Sequence, residues 1–302
     1  MKLLTADQTK LGFIGVGAMG SRLVRRLRDH GYAVGVYDRN QEAAEAVRQY
    51  GASVASSPAM VAQSADVILS CLTNDDAVRS VYVEADGVLS VARQGQVVIE
   101  MSTVSPKTSR EVHAAGTNRG VNVLDVAISG STPAVEQGTI TLLAGGDPEV
   151  FQAAEPIFRA IASQYFLMGP SGAGTSMKLV VNTILGISMQ AIAEGIALGE
   201  AEGLGRQRLL NVLAQTAVIP PAHKGKLSKA EQNDYSPQFG VALMNKDFRL
   251  ILDTAKASDL RLPATTAAYE VNSAAMEADP ASDISSVIRQ MEKSLSVVSK
   301  VA

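Results

Sequence analysis

The sequence predicts an α/β fold: a mainly parallel, doubly wound sheet in the first half of the chain, then an all-α domain. Three observations carry that expectation. Short apolar runs alternate with helix-like segments through residue 169. A Gly-rich turn, "GVGAMG" at 15–20, joins the first run to the first helix. Beyond "GPSGAGTSMK", 169–178, no strand pattern recurs. Runs that alternate with helices at this spacing need crossover connections and therefore pair in parallel. At 302 residues the chain is long enough for two hydrophobic cores.

The elements follow in order. "LGFIGV" reads as a strand, "GSRLVRRLRDH" as a helix and "AVGVYD" as a second strand. "NQEAAEAVRQY" is a helix that Asn40 can cap, because its side-chain oxygen reaches the unpaired N–H groups at the helix start. "SADVILSCL" is a short apolar strand, followed by helical "NDDAVRSVY". "GQVVIEMST" is a strand, and "SPKTSREVHAAGTNRG" opens a helix with Pro106 in its first turn, where the missing N–H costs nothing. "VNVLDVAIS" and "ITLLAGG" are strands, "DPEVFQAAEPIFRAI" is a helix and "YFLMG" a last strand. Helices are then expected over 174–203, 206–215, 220–229, 239–258, 263–278 and 284–298. Turn signals separate them at Gly203-Leu204-Gly205, Pro220-Pro221, Ser236-Pro237 and Asp279-Pro280. The first of these helices carries "LVVNTILGISMQAIAEGIALG", 179–199, apolar nearly all round and so expected to be buried between domains or between subunits. Asn182, Gln190 and Glu194 interrupt it, which argues against a membrane span.

Gly15, Gly17 and Gly20 form G-x-G-x-x-G between the first strand and the first helix. Gly15 permits the tight turn, Gly17 lets the backbone approach a pyrophosphate, and Gly20 lets the helix pack on the strand. With Ala18 and Met19, the free N–H groups of the helix start then face the phosphates. Asp38 ends the second strand, where an acid accepts from an adenosine ribose hydroxyl. Arg39 beside it could grip a 2′-phosphate through a bidentate contact, and spacing alone leaves both readings open. Arg22, just inside the helix, could also reach phosphate. The pattern is that of a Rossmann-type dinucleotide-binding domain over residues 1–169. An all-α domain over 170–302 is entered through the long helix.

Composition narrows the classes. The formal net charge is −3, so nothing favours nucleic acid as a partner. Cys71 is the only cysteine, so no internal disulfide forms, and a cytoplasmic setting is expected. The N-terminal "MKLLTADQTK" has no apolar stretch long enough for a signal peptide, and no membrane partner is expected. His30, His113 and His223 show no metal-ligand spacing, so no metal is expected. "ISGST" lacks the Gly-x-Ser-x-Gly elbow of a serine nucleophile.

Four segments in order resemble the β-hydroxyacid dehydrogenase family: "GFIGVGAMG", "DVAISGSTPAVEQGTITLLAGG" (125–146), "GAGTSMKLVVNTIL" (172–185) and "FGVALMNKDFRLILDTA" (239–255). Together they span most of the chain and specify the family, not one substrate. Two departures stand out. The family commonly reads Asp-Ala-Pro-Val-Ser-Gly-Gly where this chain has Asp125-Val126-Ala127-Ile128-Ser129-Gly130-Ser131. It often carries two consecutive asparagines where this chain has Val181-Asn182.

The resemblance implies roles that the chemistry of each residue supports. Lys178 and Asn182 lie one helical turn apart on one face, in an otherwise apolar run. Lys178 would be the catalytic general acid/base: an ammonium stabilises the charge left on oxygen by hydride transfer and donates its proton. Asn182 would hold the substrate hydroxyl or the lysine. Ser129, Gly130 and Ser131 would cradle a substrate carboxylate at a strand end. Thr103 would lie near the nicotinamide ribose or the substrate, although it or Ser105 could instead cap the helix that Pro106 opens. Leu72, Thr73 and Asn74 would line the cofactor groove. Lys246 would sit near nicotinamide and substrate, Asp247 would orient neighbouring groups, and Phe239 would cover the cofactor or belong to the core.

The leading expectation is a nicotinamide-dependent dehydrogenase or reductase of a small carboxylate-bearing hydroxyacid or its semialdehyde. The spacing of Thr103, Ser129, Lys178, Phe239 and Asp247 is most similar to the glyoxylate/succinic semialdehyde reductase branch. Arg39-Asn40 is similar to that branch's phosphate-reading pair, although its members usually have Asn where Asp38 stands. NADP is therefore expected over NAD. The alternatives are an imine reductase, which generally lacks the equivalent of Lys178, and a non-catalytic dinucleotide-binding module of the same fold. A homodimer or homotetramer is implied, as in the family.

Overall fold

The structure is a computed structural model that describes residues 1–298, with side chains described through 293. Residues 299–302, the end of the expected second domain, lie outside the described residues. Eight strands build one sheet: β1 (Lys10–Ile14), β2 (Ala33–Tyr37), β3 (Ser53–Val54), β4 (Val67–Ser70), β5 (Val97–Glu100), β6 (Asn122–Ser129), β7 (Ile140–Gly145) and β8 (Ala162–Gly169). Between them run α1 (Gly20–Asp29), α2 (Gln41–Ala46), α3 (Pro58–Ser64), α4 (Asp75–Tyr82), α5 (Val88–Val91), α6 (Pro106–Thr117), α7 (Thr132–Gln137) and α8 (Pro148–Ile161). The rest of the described chain is helical: α9 (Ala173–Ala201), α10 (Arg206–Gln215), α11 (Pro221–Glu231), α12 (Val241–Lys256), α13 (Pro263–Ala278) and, after a short turn of 3-10 helix, α14 (Val287–Val298).

The strand order is β3-β2-β1-β4-β5-β6-β7-β8. Pairing is parallel from β3 to β6, antiparallel between β6 and β7, and parallel again between β7 and β8. The expected doubly wound α/β fold is thus the observed one. β1 pairs with β2 on one side and β4 on the other, so the order reverses there, which is the switch point where doubly wound sheets bind ligands at the carboxyl ends. The turns after β1, β2, β4, β5 and β6 all leave that one edge, which carries Gly15–Gly20, Asp38–Asn40, Leu72–Asn74, Thr103 and Ser129–Ser131.

Alternation along the strands builds a core on both faces. Phe13, Val36, Leu69 and Ile99 share one face with Leu23 and Leu27 of α1 and Phe158 of α8. Ile14, Ile68 and Val98 share the other with Val61 of α3, Val78 and Tyr82 of α4 and Val112 of α6. Burial of each such large side chain stabilises the fold by about 1.5–3 kcal/mol. Burial on both faces is why "VIL" and "VVI" are continuous apolar runs without polar alternation.

Several short elements are additional to those expected. β3 has only two residues and so no period to read. α3, α5 and α7 are short, and Ser57 starts α3 by accepting from the Met60 N–H at 3.2 Å. β8 begins at Ala162, ahead of "YFLMG".

The chain forms two compact units, Met1–Lys178 and Leu179–Ala302, so the opening turns of α9 belong to the first. The second unit has its own core, in which Met189, Ile192 and Ile196 of α9 pack with Leu227, Met244, Phe248 and Ile288. One face of α9 is therefore covered. Val180, Ile184 and Leu198 on another face stay 51%, 64% and 66% exposed in the single chain.

Candidate active site

The Gly-rich turn leaves β1 with Gly15 at φ 91°, a left-handed conformation suited to glycine. A Cβ at Gly15 would strike the Cys71 carbonyl, and one at Gly20 would strike the Gly15 carbonyl. Gly17 differs: a Cβ there would meet no protein atom within 4 Å. Packing does not demand glycine at that position, whereas a closely approaching pyrophosphate does. The start of α1 beside it has no side-chain cap from Met19, and the Ser21 N–H donates to the Gly17 carbonyl at 3.0 Å. These residues fit a dinucleotide. Arg22 does not point to it: its guanidinium bonds Glu136 at 2.6 Å and the Ala18 carbonyl at 2.7 Å.

Asp38 is tied to this turn. Its Oδ2 accepts from the Val16 N–H and its Oδ1 from the Asn40 N–H, each at 2.8 Å. Asn40 caps α2 by accepting from the Glu42 N–H at 3.0 Å. Arg39 between them is exposed, and its guanidinium has no hydrogen bond or ion pair among the described residues.

The next two turns are laced together. The Leu72 N–H donates to Ser102 Oγ at 2.7 Å, and the Ser102 N–H donates to Glu100 Oε1 at 2.9 Å. Glu100 is 3% exposed, and burial pushes its carboxyl up to about 7 against the bonds from Ser102. Asn74 spends its side-chain oxygen on the Ala77 N–H at 2.9 Å, capping α4, while Thr73 stands in the turn. Ser105 caps α6 through the Thr108 N–H at 3.1 Å, so Thr103 is not the cap. Thr103 is half-buried just past β5.

Ser129 ends β6, and Gly130 follows at φ 154°, where a Cβ would lie 2.6 Å from the Ile140 side chain. That position therefore requires glycine. Ser131 opens α7 without a side-chain cap bond, leaving its hydroxyl available.

Lys178 and Asn182 are buried on α9, the first 9% exposed and the second 0%. Asn182 Nδ2 donates to Asp247 Oδ2 at 2.6 Å. A carboxylate only accepts, so the amide nitrogen must face it, and Asn182 Oδ1 is left buried with no hydrogen-bond partner. Lys246 Nζ lies 2.8 Å from Asp247 Oδ1, a close ion pair. Phe239 is half-buried against the second core, and its N–H donates to Asp283 Oδ2 at 3.0 Å.

The structure thus brings Asn182 together with Asp247 and Lys246, and Asp38 together with the Gly-rich turn. Sequence reasoning passed over Asp125, Glu100, Ser102 and the buried pair Lys226–Asp283, whose Nζ–Oδ distance is 2.7 Å. Asp125 and Glu100 carried a signal, each being a lone acid inside an apolar strand. Asp283 carried none, since its partners are backbone N–H groups and a distant lysine.

Comparisons with known proteins bear on the family and the fold. Residues 10–169 match the family model for the NAD binding domain of 6-phosphogluconate dehydrogenase. Residues 172–291 match the one for the NAD-binding region of NADP-dependent 3-hydroxyisobutyrate dehydrogenase. An NAD-dependent L-serine dehydrogenase from Pseudomonas aeruginosa is 35% identical over 84% of this chain and 88% of its own. Glyoxylate/succinic semialdehyde reductase 1 from Arabidopsis thaliana is 33% identical over 86% of this chain and 90% of its own. The solved 3-hydroxyisobutyrate dehydrogenase of Mycobacterium tuberculosis with L-serine has a TM-score of 0.85 and 30% identity, covering 94% of this chain and 99% of that one.

Proposed function

The chain belongs to the β-hydroxyacid dehydrogenase family, and from that premise we propose that it interconverts a small β-hydroxyacid and its semialdehyde, with Lys178 as general acid/base. A nicotinamide dinucleotide held at the Gly-rich turn would supply or accept the hydride. The observation that carries this reading is the fixed amide of Asn182, one turn beyond the buried Lys178. Asp247 holds its nitrogen, and its orphaned oxygen is an acceptor for a substrate hydroxyl or an ammonium. In reduction the Lys178 ammonium gives its proton to the oxygen that gains charge; in oxidation the amine takes it back. Ser129, Gly130 and Ser131 take the substrate carboxylate, and Thr103 follows the neighbouring parallel strand β5 at the same sheet edge.

NADP is the proposed form of the cofactor. Two features support it: both oxygens of Asp38 already accept backbone N–H groups, and the adjacent Arg39 guanidinium is uncommitted. A homo-oligomer is proposed as well, supported by the exposed apolar stripe on α9.

The test is the change in reduced-nicotinamide absorbance with NADP(H) and NAD(H). The panel is glyoxylate, succinic semialdehyde, tartronate semialdehyde, 3-hydroxyisobutyrate and serine. Turnover of at least one acid is expected. No turnover of any with either cofactor would overturn the reading.

A further inference from the structure

Asp125 stands in β6 within an otherwise apolar run and is 2% exposed. Its Oδ1 accepts from the Gly172 N–H at 2.7 Å, and its Oδ2 from the Thr175 N–H at 2.9 Å and the Thr175 hydroxyl at 3.3 Å. Ser109 of α6 meets the same hydroxyl at 2.8 Å. The Gly172 N–H just before α9 and the Thr175 N–H in its first turn thus end on a buried carboxylate, where both the helix-start donors and the helix dipole favour negative charge.

Two glycines let the helix start close onto the sheet. A Cβ on Gly145 of β7 would lie 2.7 Å from Asp125 Oδ1 and 2.8 Å from the Gly174 nitrogen. A Cβ on Gly174 would strike the Leu143 carbonyl and lie 2.6 Å from the Asp125 carbonyl oxygen. The contact is backbone against backbone on both sides, so it has little freedom to adjust.

Thr175 precedes Lys178 by three residues on α9, and Ser129 follows Asp125 by four on β6. One side chain therefore ties the helix that carries the lysine to the strand that ends in the Ser129–Ser131 turn. We propose that Asp125 is a positioning residue that sets where the Lys178 ammonium stands relative to that turn. The proposal rests on the assignment of proton transfer to Lys178 and of carboxylate binding to Ser129–Ser131.

The test compares Asp125→Asn, Gly174→Ala and Lys178→Ala in the full-length chain, on whichever panel substrate turns over. Asp125→Asn keeps one acceptor oxygen and the same shape but sets its NH2 against an N–H donor, so circular dichroism first checks that the fold is kept. Its kcat is expected to fall about 10²-fold, the effect of roughly 1 Å of misplacement. Its KM for the cofactor is expected to stay within about twofold, because the Gly-rich turn is untouched. Amide exchange at 172–176 should quicken. Gly174→Ala, which displaces the same helix start from the other side, should repeat this split. A purely structural role would lower thermal stability while the folded protein kept its kcat, and that result overturns the proposal. Lys178→Ala separates the two levels. If it abolishes turnover while Asp125→Asn does not lower kcat, positioning alone is wrong. If Lys178→Ala keeps turnover, the reading beneath the proposal falls, and the proposal with it.

Discussion

At the residue scale the decisive pair is Asp38 and Arg39. The acid suggests an adenosine ribose ligand by its position, yet its two oxygens accept from Val16 and Asn40, so it also braces the Gly-rich turn. Arg39 is exposed and uncommitted, which suits capture of a 2′-phosphate. Replacing Arg39 with Ala is expected to lower kcat/KM for NADPH by about 10- to 100-fold, the worth of a charged hydrogen bond, and to change NADH little. Initial rates with both cofactors measure this, and a wild-type preference for NADH would reverse the choice. The residue types at this site were legible in the sequence, but their partners were not. Val16 and Asp38 are 22 positions apart and meet only because β1 and β2 pair in register. Asp125 was visible as an acid among apolar residues, yet its purpose depends on where α9 docks, 47 positions later.

At the element scale α9 is the informative case. Its apolar composition is legible, and so are its length and the turn that ends it. Which of its faces is covered is not. Met189, Ile192 and Ile196 enter the second core, whereas Val180, Ile184, Ala191 and Leu198 form an exposed line at helical spacing. A stripe of that kind on an ordinary soluble surface is unfavourable, and a second copy of the chain would cover it. Ile184→Asp is accordingly expected to shift the mass in light scattering from oligomer towards monomer while circular dichroism stays unchanged. An unaltered mass removes α9 from the interface. The segment before α12 shows the opposite limit of legibility. Asp283 accepts from the Gln238 and Phe239 N–H groups at 2.9 and 3.0 Å and from Lys226 Nζ. Burial pushes that carboxyl up, but the Lys226 ammonium and the backbone donors hold it below the usual carboxylate range. No local pattern announces this cluster, because it joins three segments brought together only by folding.

For the whole molecule, the class and the change from alternating elements to helices could be read from periodicity alone. The antiparallel pairing of β6 with β7 could not, because strand direction depends on the path of the connection and not on composition. The two compact units also bury different titratable groups, and these predict opposite responses to pH. In the first, burial raises the Glu100 carboxyl from 4.5 to about 7; it faces Asp125, Ser70, Ser102 and Tyr82. Above pH 4.5 the unfolded chain gives up a proton that the folded one keeps, so this contribution is fully present below pH 4.5 and is lost as pH rises to about 7. In the second, burial lowers His223 from 6.5 to about 4, with the nearby Lys226 adding to the effect. Its Nε2 reaches the Leu185 carbonyl at 3.1 Å and the Ser188 hydroxyl at 2.8 Å, while its buried Nδ1 has no partner for a second proton. That contribution is present above pH 6.5 and is lost as pH falls towards 4. Displacements of this size are worth at most about 3.5 kcal/mol each. Amide exchange of the slowest sites in each unit, corrected for intrinsic rates, is expected to give slopes of opposite sign between pH 4.5 and 6.5. Where both units open together, the variants still separate the two contributions. Glu100→Gln should remove the loss of stability on the way to pH 7, and His223→Gln the loss on the way to pH 4. Persistence of either slope after its own substitution would assign that pH dependence to other groups.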